Sequence, residues 1–250
     1  MNNKKNIKKY FNYKTNIEKY SYGFTKSLSG INFNFRKRKK IVTKFSDFSA
    51  KSILDVGPGT GEITQSVVKK NDPSHLTLVD VSEQMLKIAA EKIRTTTGDI
   101  KIESFCKDIE SIRLEEKKFD LVLCIGLIAY VDNLNNFLNE IISSSKPDAH
   151  IILQSSLTDN LGLKLMLNLS KKKTKAKYGF DLTEYSLKDL MKAIKIHNLE
   201  IVKKKRYLLS LPYANKFKLL NYFIEFLFQP LSSFFGSEII FLLRVPNVKN

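Results

Sequence analysis

The chain has 250 residues and a formal net charge of +17, and 43% of its residues are hydrophobic. That length fits one large α/β domain, with or without additions, and the hydrophobic content is sufficient for a core. Two cysteines are too few for a disulfide framework, and we expect Cys106 and Cys124 to be buried free thiols in strands. No apolar run reaches the roughly 18–20 residues that cross a bilayer, and the N-terminus lacks the apolar segment of a secretory signal. These features predict a cytoplasmic globular protein.

Charge is distributed unevenly along the chain. Residues 1–50 contain 13 basic and 2 acidic residues. Residues 51–157 contain 12 basic and 16 acidic residues, and residues 158–250 contain 17 basic and 7 acidic residues. A lysine-rich proteome would explain a basic bias, but it should affect every segment. An acidic centre suits a cationic ligand, and basic flanks suit an anionic partner or surface, such as RNA or the inner face of a membrane.

The first fifty residues are predicted to form a basic helical cap, residues 1–50, with a break at Gly30. A helix from Phe33 to Phe48 then leads into the first strand, and it contains the basic run Arg36–Lys40. A solvated helix face is the simpler explanation of that run. Aromatic residues among the lysines could also stack on bases, which keeps an RNA acceptor as an alternative.

The segment Ile53–Val68 reads as strand, glycine loop and helix, a geometry that places a ligand against backbone N–H groups at a helix N-terminus. Its glycines, Gly57, Gly59 and Gly61, follow G-x-G-x-G spacing and not the G-x-G-x-x-G of dinucleotide-binding folds. The absence of a Lys-Ser/Thr pair after them argues against a P-loop. Asp80 ends a second apolar run 19 residues after Gly61, where a carboxylate can accept hydrogen bonds from ribose hydroxyls.

Strands and helices alternate between residues 51 and 157. We expect strands near 52–56, 76–80, 101–106, 120–125 and 150–156, and helices near 61–70, 83–94 and 133–145. Pro147-Asp148 predicts a turn before the fifth strand, and Ser82 and either Asp132 or Asn133 predict helix N-caps. This alternation predicts a mostly parallel sheet with helices on both faces. Ligands of such sheets bind at the carboxyl ends of the strands, where the glycine loop, Asp80, Asp108 and Gly126 fall.

Four segments together resemble the class I S-adenosylmethionine-dependent methyltransferases. They are Asp55–Gly61, Leu78–Ser82, Lys107–Ile109 and Phe119–Cys124, in family order and spacing over about residues 50 to 157. The resemblance implies a Rossmann-like, seven-stranded, mostly parallel sheet in a domain of residues 51–250. It also implies acceptor-side insertions at 158–184 and 212–237, the second a helical insert before the last strand.

The resemblance also implies the cofactor, S-adenosyl-L-methionine, with S-adenosyl-L-homocysteine as product, and the residues that bind it. The glycines would approach the methionine portion, Asp55 would orient the loop and reach the ammonium group through water, and Asp80 would take the ribose hydroxyls. Met85 would pack on adenine, and Asp108 would accept from its amino group. The full set is Asp55, Gly57, Gly59, Gly61, Asp80, Val81, Met85, Lys107, Asp108, Ile109 and Cys124. The simpler alternatives are that Asp108 caps a short turn and that Met85 is a core residue.

Catalytic residues are harder to assign. Several relatives have His or Glu where this chain has Ala129, so Tyr130 is the one polar candidate, and a packing role is the simpler explanation for it. His75, His150 and His197 are each expected to be structural, and no metal-ligand cluster is visible. We expect methyl transfer to a small-molecule or lipid- or glycan-linked acceptor, at oxygen. The alternatives are an RNA methyltransferase and a non-catalytic protein that binds the cofactor.

The last ninety residues depart from a plain sheet. We expect an apolar helix at Leu161–Leu169, a basic stretch at 171–177, an amphipathic helix at Tyr185–His197 and strands at Leu199–Leu211 and Glu238–Val245. The insert Pro212–Gly236 contains a helix, Phe217–Phe228, with a wide apolar face that needs a partner. That partner could be the domain, a sister subunit, the acceptor or a membrane surface, and the sequence does not set the oligomeric state. The nearby basic run Lys203–Arg206 favours an anionic surface.

Overall fold

The computed structural model describes residues 2–13, 16–18, 30–114, 118–158, 180–207 and 236–247. The helices are α1 (Asn2–Asn12), α2 (Gly30–Phe45), α3 (Glu62–Asn71), α4 (Glu83–Arg94), α5 (Leu134–Ser144) and α6 (Leu187–Ile196). The strands are β1 (Ser52–Val56), β2 (His75–Asp80), β3 (Lys101–Cys106), β4 (Phe119–Ile125), β5 (Ser145–Ser156), β6 (Glu200–Tyr207) and β7 (Glu238–Arg244). Two 3₁₀ turns lie at Ile109–Ser111 and Ile128–Tyr130.

The seven strands form one sheet in the order β3-β2-β1-β4-β5-β7-β6. Strands β1 to β5 are parallel to their neighbours, and β7 runs antiparallel to both β5 and β6. The predicted Rossmann-like, seven-stranded, mostly parallel sheet is therefore confirmed. Because β1 lies between β2 and β4, the chain reverses direction across the sheet at β1, and this switch point is where parallel sheets bind ligands.

Two apolar cores hold the sheet between its helices. One packs α5 and α6 on one face, and the other packs α2, α3 and α4 on the opposite face. Strand β4 shows why the sequence builds two cores: Leu121 and Leu123 enter one, while Val122 and Cys124 enter the other. All four side chains are fully buried, and each buried aliphatic side chain contributes about 1.5–3 kcal/mol to folding.

Side-chain caps fix where three helices start. Ser82 accepts a hydrogen bond from the backbone N–H of Met85 at the start of α4, as predicted. Asn133 caps α5 by accepting from the backbone N–H groups of the second and third residues after it. Ser186 and Asp189 form a reciprocal capping box at the start of α6. Each such cap is worth about 0.5–2 kcal/mol.

Three expectations are wrong in detail. The helix predicted at Phe33–Phe48 begins at Gly30 and ends at Phe45. Strand β5 begins at Ser145, so Pro147 and Asp148 lie inside a strand whose pairing with β4 shifts register near them, and Asp148 has a positive φ. Cys106 is exposed, unlike the buried Cys124, because β3 is an edge strand whose residues are largely open to solvent.

Several expectations fall outside the described residues. These are the helix at Leu161–Leu169, the basic stretch at 171–177, and nearly all of the insert before β7. The predicted boundaries of the N-terminal cap and of both insertions remain predictions. None of the helices within the described ranges is long and apolar enough to cross a membrane.

Gly61 joins the glycine loop to α3 and offers a test of how tightly that loop is built. Its φ is +80°, and a Cβ there would lie 2.9 Å from the Cα of Ala89 in α4. We expect Gly61→Ala to lower the free energy of unfolding by about 2–4 kcal/mol, the sum of left-handed strain and overpacking. Urea denaturation of both proteins would measure this loss.

Gly98 provides the matched control because a Cβ at that position would meet nothing within 4 Å. We expect Gly98→Ala to change the free energy of unfolding by less than about 1 kcal/mol. Equal effects of the two substitutions would contradict the packing described for Gly61.

Candidate functional site

A cleft opens at the carboxyl ends of β1, β2 and β4, the edge predicted to bind a ligand. It encloses about 790 Å³ of empty space, part of which is continuous with solvent. Of the residues predicted to bind the cofactor, eight line the cleft: Gly57, Gly59, Asp80, Val81, Met85, Lys107, Asp108 and Ile109. The structure therefore brings together most of a set spread over more than fifty residues of sequence. Asp55, Gly61 and Cys124 do not line this cleft.

The glycine loop leaves β1 in a tight turn that only glycine adopts easily. Gly57 and Gly59 have φ values of +70° and +55°. The N–H of Gly57 donates to the carbonyl of Val79 at 2.8 Å, which ties the loop to the neighbouring strand. A Cβ on Gly57 would approach Leu127 to 3.1 Å, so a side chain would fill the space that the loop leaves in the cleft.

Asp80 ends β2 and lies in the cleft wall beside the glycine loop. Its Oδ1 accepts from the N–H of Ser82 at 2.9 Å, and the backbone N–H groups of Gly59 and Val81 are close enough to lower the pKa of this carboxyl. Burial raises the pKa of Asp80 to about 6, and the three N–H donors limit that rise. The carboxyl group is thus held in place by backbone donors and titrates close to neutral pH.

Asp55 is buried beneath the glycine loop and is held by α3. Its Oδ2 accepts from the Thr64 hydroxyl at 2.5 Å, consistent with the predicted role of orienting the loop. Burial raises the pKa of Asp55 to about 7, with a smaller contribution from the charge of Asp80 and against the hydrogen bond from Thr64, which lowers the pKa. Cys124 lies fully buried in β4, where burial first and the charge of Asp55 second raise its pKa. Neither side chain reaches the main cleft, so any contact with a ligand there is indirect.

Asp108 and Met85 also line the cleft, and the structure shows the simpler alternative for each, while their contacts with adenine remain predictions. Asp108 caps the 3₁₀ turn at Ile109–Ser111 by accepting from the N–H of Glu110 at 3.1 Å, and it also lines the cleft. Met85 is only 2% exposed, as a core residue would be, and it also borders the cleft.

Helix α1 lies over the cleft and contributes residues that the sequence analysis did not identify, namely Lys4, Ile7 and Phe11. Their spacing of three and four residues places them on one face of the helix. This periodicity is the sequence signal from which their common location could have been predicted. The hydroxyl of Ser82 donates to the carbonyl of Phe11 at 2.8 Å, which fastens the end of α1 beside Asp80.

Lys4 anchors the start of α1 to acidic residues at the cleft wall. Its Nζ lies 2.9 Å from Oδ2 of Asp108 and 2.5 Å from Oε2 of Glu110. Burial lowers the pKa of Lys4, but hydrogen bonds to Glu110 and Asp108 outweigh it, so the pKa is raised. One ammonium group therefore neutralises carboxylates more than a hundred residues away in sequence.

Tyr130, the one catalytic candidate, lies at the cleft between two other rings. Its ring centroid is 5.7 Å from that of Phe11 and 6.0 Å from that of Phe180. The ring of Tyr130 thus makes one edge-to-face and one tilted contact with its neighbours. These contacts support the packing role that the sequence analysis gave as the simpler explanation for this tyrosine. Its location in the cleft wall leaves the catalytic role as a prediction.

Comparisons with known proteins point to one kind of domain. Residues 53–148 match a family described as a methyltransferase domain. The malonyl-[acyl-carrier protein] O-methyltransferase of Bacillus cereus is 30% identical over 113 residues, which cover 45% of this chain and 40% of that protein. The demethylmenaquinone methyltransferase of Bacteroides fragilis is 26% identical over 136 residues, which cover 54% of this chain and 56% of that protein. The chain thus spans about half the length of the curated relatives it matches.

Structural similarity extends over nearly the whole chain. The magnesium protoporphyrin IX methyltransferase of Synechocystis PCC 6803, solved with bound S-adenosylhomocysteine, superposes with a TM-score of 0.65. The alignment covers 96% of this chain and 98% of that one at 14% sequence identity. At that identity the likeness establishes a shared fold.

The Lys4 ion pairs predict how firmly α1 is held on the cleft. We expect Lys4→Met to speed amide hydrogen exchange in residues 2–12 by about fivefold, because a half-buried ion pair contributes up to about 1 kcal/mol. Hydrogen exchange followed by mass spectrometry would measure this change.

Lys8→Met is the matched control, since Lys8 is an exposed lysine on the same helix. It removes the same charge, and we expect exchange in α1 to stay within twofold of the unmodified protein. Similar acceleration in both variants would mean that overall charge, and not the Lys4 contact, holds the helix.

Proposed function

We propose that the chain, whose residues 53–148 match a methyltransferase domain, is a class I S-adenosylmethionine-dependent methyltransferase that transfers a methyl group from S-adenosylmethionine to an acceptor oxygen. The single observation that carries this proposal is the convergence of Asp80 and the glycine loop on one cleft. The hydrogen bond from the N–H of Gly57 to the carbonyl of Val79 holds the two together.

The residues of the cleft fit the proposed cofactor chemically. Asp80 offers carboxylate oxygens to a pair of ribose hydroxyls, while the positive φ values of Gly57 and Gly59 let the loop backbone approach the ligand. Met85 and Ile109 supply apolar contacts for adenine, and Asp108 can accept from its amino group. Helix α1 would then cover the bound nucleoside with Ile7 and Lys4.

The sulfonium group of the cofactor, when bound, supplies a methyl group to a nucleophile by in-line displacement. The role of the protein is to position both reactants and to exclude water. Positioning and water exclusion can account for much of the acceleration in such transfers. Phe11, Leu127, Tyr130 and Val131 line the cleft with apolar surface that suits this role. Tyr130 is proposed to border the acceptor, and its hydroxyl is the candidate for contact with the acceptor oxygen.

The acceptor is proposed to be a small molecule or a lipid- or glycan-linked group. Transfer to oxygen is supported by the relative named malonyl-[acyl-carrier protein] O-methyltransferase. Contact with an anionic membrane surface is supported by the exposed lysines Lys203 and Lys204 on β6. Acceptor and membrane contact both rest on the same premise of cofactor binding.

Removal of the Asp80 carboxylate tests the assigned cofactor site. We expect Asp80→Asn to weaken binding of S-adenosylhomocysteine at least about tenfold at pH 8, since a charged hydrogen-bonding partner is worth about 1.5–3 kcal/mol. Isothermal titration calorimetry measures the affinity directly. The control is Asp99→Asn, an exposed aspartate in the loop before β3, which should leave the affinity unchanged.

The pH dependence of the same affinities sharpens this test. Since the pKa of Asp80 is raised to about 6, its carboxyl is ionised at pH 8 and mostly protonated at pH 5. A protonated carboxyl loses the charge that favours the ribose hydroxyls, so the advantage of the unmodified protein over Asp80→Asn should fall about tenfold between pH 8 and pH 5. An advantage that is equal at both pH values would refute the role given to this carboxylate.

Transfer of a labelled methyl group tests the reaction itself. The protein would be incubated with labelled cofactor and with separate lipid, small-molecule and RNA fractions of a cell extract. We expect label in the small-molecule or lipid fraction, released by mild base if it is an ester. Label only in RNA would support the alternative RNA methyltransferase, and tight cofactor binding without transfer to any fraction would support a non-catalytic protein.

A further inference from the structure

A cluster of buried polar side chains lies where β5 ends and β7 begins. Gln154 of β5 is 1% exposed and lies beside Ile125, the last residue of β4. Two residues further along β5, Ser156 lies opposite Glu238, the first residue of β7, which is 7% exposed. Because β4 and β5 are parallel, their carboxyl ends meet at the edge of the sheet where the cleft opens. The cluster is therefore close to the cleft, and none of its residues has been given a role so far.

Glu238 determines which way the amide of Gln154 is turned. The Nε2 of Gln154 donates to Oε2 of Glu238, and the Ser156 hydroxyl donates to Oε1 of Glu238 at 2.8 Å. In a side-chain amide only the nitrogen can donate, and the carboxyl oxygens of Glu238 accept. The hydrogen-bond network therefore requires the nitrogen of Gln154 to face Glu238 and its oxygen to face away.

The oxygen of this amide, Oε1, has no hydrogen-bond partner. Neither Arg38, which lies nearby, nor any other residue that the structure describes donates to it. Nearly all buried polar atoms in folded proteins are paired, because an unpaired atom has lost its hydrogen bonds to water without replacement. An unpaired oxygen on an amide whose nitrogen is firmly held indicates a position for a donor from outside the chain.

Gly126 leaves an open path between this oxygen and the main cleft. The glycine lines the cleft, and the point that a Cβ on it would occupy lies 3.7 Å from Oε1 of Gln154. A donor atom of a ligand in that space would thus come close to hydrogen-bond distance of Oε1. Leu127 and Tyr130, which follow in the chain, line the part of the cleft proposed to border the acceptor.

We propose that Gln154 is a specificity-determining residue for the methyl acceptor, and that its Oε1 accepts a hydrogen bond from a hydroxyl or N–H group of that acceptor. An amide oxygen is too weak a base to remove a proton, so the group that it binds keeps its hydrogen. The acceptor class is therefore a molecule with a second hydroxyl or an N–H group besides the oxygen that receives the methyl group. This inference rests on the proposed function.

Such an oxygen would select strongly among acceptors. A buried group that is built to bind a hydroxyl or N–H rejects an analogue without one, because the group then stays unpaired. The small space beside Gly126 limits the donor to a small group, since a single missing side chain provides it.

Gln154→Met removes the oxygen and keeps a side chain of similar length. Methyl transfer by the full chain would be measured with labelled S-adenosylmethionine and increasing amounts of the extract fraction that the unmodified protein labels. The amount that gives half of the maximal rate is the apparent KM for the acceptor. We expect the variant to raise this KM about five- to tenfold, the effect of one lost hydrogen bond, and to change the affinity for S-adenosylhomocysteine by less than about twofold.

Ser156→Ala is the matched control. Like Gln154→Met, it removes one donor from Glu238 and leaves the other, but it keeps Oε1 of Gln154 in place. We expect it to change the apparent KM by less than about twofold, because it removes no contact with the acceptor. Thermal unfolding of both variants would show that each is folded.

Four outcomes would overturn the role given to Gln154. An unchanged KM in Gln154→Met would refute it, and an equal rise in both variants would mean that Gln154 only supports Glu238. Weaker binding of S-adenosylhomocysteine with an unchanged KM would assign the donor to the ammonium group of the cofactor. A crystal structure of the unmodified full chain with a donor of the protein itself bonded to Oε1 would also overturn it, even if Gln154→Met does not fold.

Failure of the proposed function would look different. The unmodified protein would then label no fraction at any amount added, whereas a wrong role for Gln154 leaves transfer by the unmodified protein intact.

Discussion

The pairing of β1 with β2 is the constraint on which the site depends. In-register parallel pairing places Val56 beside Val79, so that the glycine loop and Asp80 leave the sheet side by side. A hydrogen bond from the N–H of Gly57 to the carbonyl of Val79 then links the two turns. A slip of one residue would reverse the face of every side chain in β2 and move the carboxylate away from the loop.

The cleft is assembled from the N-terminal helix α1 and the carboxyl ends of the central strands. The central strands supply a rigid edge, while α1 supplies a cover that contacts it through Lys4, Ile7 and Phe11. The rigid edge is bound by many backbone hydrogen bonds, and the cover is held by a few side-chain contacts. This division suits a site that must keep its geometry and still admit a ligand as long as a nucleoside with an amino acid attached.

Local patterns predicted the sheet and half of the site because the glycine spacing, the apolar runs and Asp80 lie in continuous segments. The sequence did not reveal Lys4, since its contacts with Asp108 and Glu110 depend on where α1 docks, which is a tertiary effect. Cys106 was wrongly expected to be buried, because alternation alone does not show that β3 lies at the edge of the sheet. The irregular start of β5 was missed for a similar reason: a bulge keeps the strand intact around Asp148 where proline and aspartate favour a turn.

The opposite edge of the sheet has a consequence for how molecules of this protein meet one another. Strand β6 ends the sheet and pairs only with β7 among the described strands, and it includes the consecutive lysines Lys203, Lys204 and Lys205. An unpaired strand can recruit the same strand of another molecule and start aggregation, and lysines there oppose it by mutual repulsion. In a chain with a net charge of +17, repulsion between these lysines protects the β6 edge against edge-to-edge pairing with another molecule.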